Sequence, residues 1–481
     1  MKLSELLHQT SIKKLCADLE TEIGGLSCDS RAVKPGFAYV AICGFKTDGH
    51  LYIADAVRRG ARVVVCEKEP EEEVPYVLVE DSRAALADMG AAWYGNPSRE
   101  MTMIGVTGTN GKTTVTYLLK FVLEQALGAK VGLIGTIQNM VGQEIIATER
   151  TTPESIELQA LLRRMADAGC THVVMEVSSH ALELQRVRNI DFHIGAFTNL
   201  TQDHLDFHGT MENYRKAKER LFQVCRIGLL NADDEASEAI RASAACPCRT
   251  YSVKKPADLQ AKNVSCAADS VSFTAVEKDA SAEVKLGIPG MFSVYNALTV
   301  LAAARALDIP LYACAEALKN AHGVKGRMEV VPTPGKDYTV LIDYAHTPDG
   351  LENVLRSVRA VCRGRLIAVF GCGGDRDAAK RPIMGEIGVR YSDLVVFTSD
   401  NPRTEAPDEI LRQIVAGAKG TTTPFEIIEN RREAIRWAMD HAQKNDVIVL
   451  AGKGHETYQI LGTTKTHLDE REEIAAHLNG N

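Results

Sequence analysis

Long apolar segments are absent from this sequence. No run of about 18 apolar residues occurs, which excludes an ordinary membrane-spanning helix. The N-terminal segment MKLSELLHQTSIKKLC is interrupted by polar residues and lacks the apolar core of a signal peptide. We therefore expect a protein of the cytoplasm that has no membrane span.

Cysteine pairs and a basic charge excess are absent as well. The 12 cysteines include no Cys-x-x-Cys motif, and the two that lie closest in sequence are Cys246 and Cys248. This spacing favours reduced, buried thiols over disulfides or a zinc site. Aspartate and glutamate number 63 against 55 lysines and arginines, so the net charge is −8. An acidic balance argues against a general nucleic-acid binder.

Short apolar segments alternate with helical patterns along most of the 481 residues. A chain of this length predicts about two to four domains. The alternation indicates an α/β fold with largely parallel sheets covered by helices. Between about 250 and 290, runs of period two predict a small antiparallel patch. The turn-rich linker GNPSRE and the segment HGVKGRMEVV suggest boundaries that give domains 1–98, 99–328 and 329–481.

The segment GTNGKTT, Gly108 to Thr114, lies between the predicted strand MTMIGVT and a predicted helix. Backbone N–H groups in such a loop, and the helix N-terminus, favour a phosphate group. Lys112 can reach the terminal phosphates of ATP, and Thr113 can bind Mg²⁺ through its hydroxyl. The strict pattern GxxxxGK[ST] is not met, because Val106 stands where the first glycine belongs. A chance glycine-rich turn is the alternative, and the strand-loop-helix context favours the ATP site.

Acidic, histidine and lysine residues follow this loop. Glu176 closes the predicted strand of MEVSSH, His204 lies in TNLTQDHLDFHG, and Lys218 lies in a helical segment. Hard oxygen donors near a phosphate loop indicate Mg²⁺ rather than zinc. Residue type alone also allows Glu176 to cap a helix, His204 to be a packed or capping residue, and Lys218 to be a solvated lysine. Three neighbours are typical of a solvated loop and are not predicted as ligands: Asp203, Asp206 and His208.

Together these motifs resemble those of the Mur ligases, the ATP-dependent amide-forming enzymes of peptidoglycan synthesis. The motifs occur in the family's order: GTNGKTT, MEVSSHAL, TNLTQDHLDFHGTMENYRKAKERLF, YNALTV, GRME, DYAHTPD, GCGGDRD, DNPR and AGKGHE. The earlier segment CDSRAVKPGFAYVA fits the family's nucleotide-sugar domain. The resemblance extends from Asp29 to Glu456. It implies an N-terminal UDP-binding α/β domain, a central P-loop-type ATPase sheet and a C-terminal Rossmann-like domain.

The resemblance also implies roles for individual residues. ATP would be bound by Gly108, Thr109, Asn110, Gly111, Lys112, Thr113, Thr114, Asn296, Arg327, Asp343 and His346. Mg²⁺ would be held by Thr113, Glu176, His204 and Lys218, with Lys218 carboxylated by CO₂ to N6-carboxylysine. The UDP-linked substrate would be bound by Ser30, Thr151, Thr152, Ser178, Gln185 and Arg186. The incoming amino acid would be bound by Arg376, Asp400, Asn401, Pro402, Arg403, Gly452 and Glu456.

Two segments of the C-terminal third need separate interpretation. GCGGDRD follows a predicted strand, but Arg376 stands where a dinucleotide fingerprint has its last glycine, so no dinucleotide is expected. In SDNPRTEAP, Arg403 offers a planar fork to a carboxylate and Asp400 can accept from an ammonium; Glu456 of AGKGHE is a second acceptor. This suits the zwitterionic far end of meso-diaminopimelate. A capped turn before the next helix would explain Asp400 but would leave Arg403 without a role.

Within the family, the resemblance is to ligases that add the third amino acid to UDP-N-acetylmuramoyl-L-alanyl-D-glutamate. It implies addition of meso-diaminopimelate through an acyl phosphate, in the synthesis of peptidoglycan precursors for the cell wall, cell shape and cell division. The same reaction with L-lysine is the close alternative. A folylpolyglutamate synthase-like ligase is less consistent with CDSR and DNPR, and a nucleotide switch would need no charged third domain. We expect a monomer that uses Mg²⁺ as cofactor and ATP as co-substrate.

Overall fold

The computed structural model of the protein describes residues 1–44, 47–148, 150–321 and 323–480. The chain forms two compact units, Met1–Tyr251 and Ser252–Asn481. Both units combine helices with sheets, which confirms the predicted α/β class. Within the described ranges, the helices lack the combination of length and apolar character that a bilayer crossing requires.

A five-stranded sheet begins the first unit, in the order β1-β5-β4-β3-β2. Strand β1 is antiparallel to its neighbour and the other pairs are parallel. Three of the short apolar segments that alternate with helical patterns in the sequence, FAYVAI, ARVVVCE and YVLVE, correspond to β3, β4 and β5. The elements are α1 (Leu3–Leu6), β1 (Ile12–Cys16), β2 (Gly25–Ser27), β3 (Phe37–Val40), α2 (Ile53–Arg58), β4 (Val63–Cys66), β5 (Tyr76–Val79) and α3 (Ser82–Trp93).

A second sheet of the first unit begins with β6. Its elements are β6 (Thr102–Thr107), α4 (Lys112–Leu127), β7 (Val131–Ile134), β8 (Asn139–Val141), β9 (Glu144–Ile146), α5 (Ser155–Asp167), β10 (His172–Glu176), α6 (Ser179–Glu183), β11 (Phe192–Phe197), α7 (Leu205–His208), α8 (Met211–Glu219), β12 (Ile227–Asn231), α9 (Ala236–Ser243) and β13 (Cys248–Ser252). The strand order is β13-β12-β11-β6-β10-β7-β8-β9. Strands β13 to β7 are parallel, and β8 and β9 are antiparallel.

The centre of this sheet determines where the conspicuous motifs lie. Strands β6, β10 and β11 are almost entirely buried, as their apolar runs require of a sheet covered on both faces. Strand β6 lies between β10 and β11, so the chain leaves it in one direction along the sheet and returns on its other side. The carboxyl ends of strands at such a reversal form a crevice in which open α/β sheets bind ligands.

The second unit begins with an antiparallel meander, which confirms the predicted antiparallel patch. It consists of β14 (Leu259–Cys266), β15 (Val271–Val276) and β16 (Ser281–Leu286). The buried helix α10 (Met291–Ala306) packs on β14 and β15, and α11 (Leu311–Lys319) packs on β16.

A six-stranded sheet follows, in the order β17-β18-β22-β19-β20-β21. Its pairs are parallel except β17 with β18, and β23 and β24 form a separate hairpin. The domain boundaries near residues 98 and 328 stay predictions. The elements are β17 (Glu329–Val331), β18 (Thr339–Asp343), α12 (Pro348–Arg359), β19 (Leu366–Phe370), α13 (Lys380–Tyr391), β20 (Leu394–Phe397), α14 (Pro407–Val415), β21 (Phe425–Ile427), α15 (Arg431–Asp440), β22 (Val447–Ala451), β23 (Tyr458–Leu461), β24 (Thr464–His467) and α16 (Glu470–Leu478).

Candidate active site

The predicted phosphate loop connects β6 to α4. Gly111 precedes the helix with φ 87°, and Gly108 has φ 144°. A Cβ at Gly108 would lie 1.9 Å from Thr198 Oγ1, so this position requires glycine. The loop is fixed by Thr198 Oγ1, which donates to Asn110 O at 2.7 Å, and by Asn110 N, which donates to Asn199 Oδ1 at 2.9 Å. The backbone is therefore held at the N-terminus of a 16-residue helix, where an anion is favoured.

Lys112 begins helix α4 and turns back over its own loop. Its Nζ donates to Gly108 O at 2.9 Å and to Thr109 O at 2.8 Å. Thr114 follows in the first turn of the same helix. The ammonium is thus placed over the loop in which a phosphate chain would lie.

Thr113 and Glu176 meet at the carboxyl edge of the sheet. Thr113 Oγ1 donates to Glu176 Oε2 at 3.0 Å, and Glu176 is 1% exposed. Thr136 also donates to this carboxylate, from its N at 2.8 Å to Oε1 and from its Oγ1 at 3.0 Å to Oε2. A Cβ at Gly135 would lie 2.5 Å from Glu176 Oε1, so glycine leaves room for the carboxylate. The arrangement presents hard oxygen donors of the kind that Mg²⁺ prefers.

Lys218 is buried on α8 rather than solvated. Its side chain reaches the phosphate loop, where Nζ donates to Gly108 O at 2.9 Å and lies 4.2 Å from the centroid of the Tyr214 ring. Burial, and next the charge of Lys112, hold the pKa of Lys218 well below its ordinary value. The solvated-lysine interpretation is therefore wrong for this residue.

His204 lies at the start of α7 in a left-handed conformation, φ 52°. Its ring is 4.8 Å from that of His180, and Nε2 lies 3.5 Å from Asp203 Oδ2. Burial lowers the pKa of His204. His208 is buried, with Nε2 2.9 Å from Ser179 Oγ, so the solvated-loop interpretation is wrong for this residue.

The metal assignment stays a prediction. Among the described residues, no three or more histidine, cysteine, aspartate or glutamate side chains are arranged to hold a metal ion. Only two members of the predicted set, Glu176 and His204, are of these types. The others are a threonine and a lysine that would have to be carboxylated. The adjoining oxygens of Thr113 and Glu176 are the part of the set that the structure brings together.

The predicted UDP-substrate residues of this sheet lie close to Glu176. Thr152 Oγ1 donates to Glu176 O at 2.9 Å and to Ser178 Oγ at 3.3 Å, and Thr151 Oγ1 lies 3.0 Å from Thr136 Oγ1. Arg186 donates from Nη1 to Thr152 O at 3.3 Å and pairs with Glu154 at 2.7 Å. The remaining two are Gln185, which has φ 59°, and Ser30, which is buried in the turn after β2.

The predicted ATP residues of the second unit are near β18, apart from Asn296, which is buried in α10. Asp343 accepts from the backbone N–H groups of Met328 and Ala345, each at 2.8 Å, while burial raises its pKa. The Arg327 guanidinium lies 5.0 Å from the centroid of the Tyr344 ring. His346 contacts the Tyr344 carbonyl oxygen through Nδ1 at 2.9 Å.

The predicted amino-acid residues lie in loops at the carboxyl edge of the six-stranded sheet. Arg403 has φ 52° and donates from Nη1 to Gly374 O at 2.8 Å. A Cβ at Gly374 would lie 1.8 Å from Pro402 O, so the GCGGDRD and DNPR loops approach backbone to backbone. Asn401 Nδ2 donates to Glu456 Oε2 at 3.0 Å. Arg376 is exposed beside these loops, and its Nη1 donates to Asp375 O at 3.4 Å.

Known proteins share this arrangement of motifs. Sequence profiles match residues 22–94 (Mur ligase family, catalytic domain), 106–304 (Mur ligase middle domain) and 326–454 (Mur ligase, glutamate ligase domain). A protein of Caldanaerobacter subterraneus subsp. tengcongensis, named UDP-N-acetylmuramoyl-L-alanyl-D-glutamate–2,6-diaminopimelate ligase, is 49% identical over 475 residues, which cover 98% of each chain. The chain belongs to the Mur ligase family.

Two further similarities extend over the whole length of this Mur ligase. A Clostridium acetobutylicum protein, named UDP-N-acetylmuramoyl-L-alanyl-D-glutamate–2,6-diaminopimelate ligase 1, is 49% identical over 478 residues, 99% of this chain and 98% of the relative. A solved structure of a UDP-N-acetylmuramoyl-L-alanyl-D-glutamate–2,6-diaminopimelate ligase has a TM-score of 0.76 and 31% identity, covering 100% of this chain and 99% of that one.

Sequence reasoning missed three residues that contact the predicted site residues. Thr136 follows β7 and donates twice to Glu176, Tyr214 lies against Lys218, and Lys453 lies between Asn401 and Glu456. Signals existed for two of them. Tyr214 is four residues before Lys218 on one helix face, and Lys453 lies inside the AGKGHE motif.

Proposed function

We propose that this Mur ligase joins meso-diaminopimelate to the D-glutamate of UDP-N-acetylmuramoyl-L-alanyl-D-glutamate at the expense of ATP. The two relatives at 49% identity are named for a 2,6-diaminopimelate reaction. The observation that carries the choice of amino acid is the grouping of the Arg403 guanidinium with the Asp400 and Glu456 carboxylates in loops at one sheet edge. We also propose a monomer located in the cytoplasm.

The reaction follows from the poor electrophilicity of a carboxylate at neutral pH. The γ-phosphate of ATP is transferred to the side-chain carboxylate of D-glutamate, which gives an acyl phosphate and ADP. The amine of diaminopimelate attacks the acyl carbon, and a tetrahedral intermediate forms. The C–O bond between the acyl carbon and the phosphate then breaks, and phosphate departs. The amine proton is released. Positioning and charge neutralisation supply most of the rate enhancement in such phosphoryl transfers.

The phosphate loop binds and orients ATP in this proposal. The N-terminus of α4 and the Lys112 ammonium face the same loop, so both stabilise the negative charge of the phosphates. Thr113 and Glu176 would hold Mg²⁺, and their fit is supported by adjoining hydroxyl and carboxylate oxygens 3.0 Å apart. Bound Mg²⁺ neutralises charge on the phosphate oxygens.

Lys218 acts as a carbamate in this proposal. The ammonium first loses a proton to give the neutral amine. The amine nitrogen then forms a bond to the carbon of CO₂ and loses a second proton, so that a buried cation becomes a buried anion. Two observations support this role: the side chain is 1% exposed, and Nζ reaches the phosphate loop at Gly108 O. An anion at this point would be compensated by Lys112 and would complete the oxygen-rich set with Thr113, Glu176 and His204.

One assay tests the function. ADP release is measured with the UDP-dipeptide and ATP, in the presence of meso-diaminopimelate, of L-lysine, or of neither amino acid, with mass spectrometry of the product. We expect release with meso-diaminopimelate and a product of one added residue. A preference for L-lysine would contradict the proposed amino acid. Release that needs neither the UDP-dipeptide nor an amino acid would contradict ligase activity.

A further inference from the structure

Lys453, in the middle of AGKGHE, has a side chain that is 0% exposed. Its Nζ donates to Asn401 Oδ1 and to Glu456 Oε2, each at 3.0 Å, and lies 3.7 Å from Asp400 Oδ1. Asp400 and Asn401 follow β20, whereas Glu456 follows β22. One buried ammonium therefore connects two loops that carry the predicted recognition groups for the amino acid.

The backbone around Lys453 and its partners Asp400, Asn401 and Glu456 leaves little free space. Gly452 has φ 111°, and a Cβ there would lie 2.7 Å from Asp400 Oδ2. Ile460 N, in β23, donates to Asn401 Oδ1 at 3.0 Å, and Gln459 Nε2 donates to Asp400 O at 2.7 Å. The segment Asp400–Asn401 is thus held in place by β23, and Lys453 is the cation placed beside it.

Two acids and one ammonium meet at Lys453. Its positive charge compensates one of the carboxylates of Asp400 and Glu456, and the other can receive an ammonium. Arg403 and the exposed Arg376 can receive a carboxylate, so the site suits a zwitterionic end. With Lys453 removed, both acids would be uncompensated. Two uncompensated acids suit a substrate end with an ammonium alone, as in L-lysine.

We propose that Lys453 is a positioning residue that sets amino-acid specificity: it neutralises one of the two acids and orients Asn401 and Glu456, so that the site selects a zwitterionic end over a lone ammonium. This inference rests on the proposed function. The competing explanation is a buried ion pair that only stabilises the fold.

The first test is Lys453→Met. The ratio of kcat/KM for meso-diaminopimelate to that for L-lysine should fall roughly tenfold or more, mainly through a higher KM for diaminopimelate. The KM values for ATP and the UDP-dipeptide should stay within about twofold. Lys465→Met is the matched control. Lys453 and Lys465 both lie over the Tyr458 ring, 5.6 Å and 3.6 Å from its centroid, but Lys465 is exposed on β24. It should leave the ratio unchanged.

A double variant keeps the inference testable if Lys453→Met does not fold. Asp400→Asn combined with Lys453→Met removes one charge of each sign, so its ratio should return to within about threefold of wild type. A folded Lys453→Met with the wild-type ratio, or a double variant that loses selectivity, would overturn the role of Lys453 alone. A wild-type protein that adds neither amino acid would overturn the proposed function and this inference with it.

Discussion

Lys218 and Lys216 lie on the same helix in opposite environments. Lys218 is buried against the phosphate loop, whereas Lys216 is exposed and pairs with Glu212 at 2.7 Å. If the Lys218 carbamate takes part in charge stabilisation, Lys218→Ala should lower kcat on the order of 10²- to 10³-fold while the protein stays folded. ADP release measures kcat, and circular dichroism shows whether the variant is folded. Lys216→Ala should match wild type in kcat and in folding.

Chemical rescue of Lys218→Ala distinguishes the loss of an anion from the loss of packing contacts. Acetate or another small carboxylate can enter the space that the side chain leaves and should restore part of the rate, whereas added bicarbonate should not, because no amine remains to be carboxylated. Wild-type rates in Lys218→Ala would contradict the carbamate.

Arg403 is the residue expected to recognise the far carboxylate of diaminopimelate. Loss of a charge-assisted hydrogen bond costs roughly 1.5–3 kcal/mol, so Arg403→Ala should raise the KM for diaminopimelate on the order of 10- to 150-fold. KM for ATP and for the UDP-dipeptide should change little. The control is Arg412→Ala, because Arg412 is exposed on α14 and pairs with nearby Glu409. A comparable rise in the KM for ATP would instead indicate a distorted loop.

The phosphate loop has no room for a side chain at Gly108. A Cβ at Gly108 would lie 1.9 Å from Thr198 Oγ1, so Gly108→Ala must displace the loop. We expect a loss of about 1–3 kcal/mol in unfolding free energy and a KM for ATP raised roughly tenfold or more. Gly128→Ala is the control: Gly128 ends the same helix with φ 62° and no atom within 4 Å of a Cβ. It should cost about 1–2 kcal/mol and leave KM unchanged.

Four strands that sequence reasoning predicted are buried, whereas two strands that it missed are largely exposed. The apolar runs MTMIGVT, THVVMEV, IGAFTN and IGLLNAD are bounded by polar turns and predict strands, which correspond to the buried strands β6, β10, β11 and β12. The hairpin of β23 and β24 was missed, since its residues are partly or fully exposed and show no clear alternation. The formation of an exposed strand depends on pairing with a neighbouring strand rather than on its own pattern of apolar residues.

The site residues that were missed depend on pairing between distant elements. Thr136 meets Glu176, 40 residues away, because β7 and β10 are parallel neighbours in register. A single sequence contains no signal for that register. Lys218 was identified through family resemblance rather than through residue type, which predicts a solvated lysine. Its burial follows from the packing of α8 beside the loop.

Across the whole molecule, polar groups collect where parallel strands end. The phosphate loop follows β6, and Glu176 ends β10. In the second unit Asp343 ends β18, while Asp400 and Lys453 follow β20 and β22. Both units therefore obey the rule that open α/β sheets place ligand groups at their carboxyl edges. The rule predicts the strand ends at which binding residues lie, while the chemistry at each end comes from the side chains.

The cysteines provide a prediction for the entire chain. All 12 are free, and burial raises the pKa of Cys66 and Cys314 to about 11 and that of Cys372 to about 12. Because the thiolate is the reactive form, these three should react with a chromogenic disulfide reagent at pH 8 on the order of 10²-fold more slowly than exposed Cys16 and Cys43. Denatured protein that has not been reduced should titrate all 12 thiols. A deficit of two thiols that a reductant restores would reveal a disulfide and contradict the reduced state inferred from the cysteine spacing.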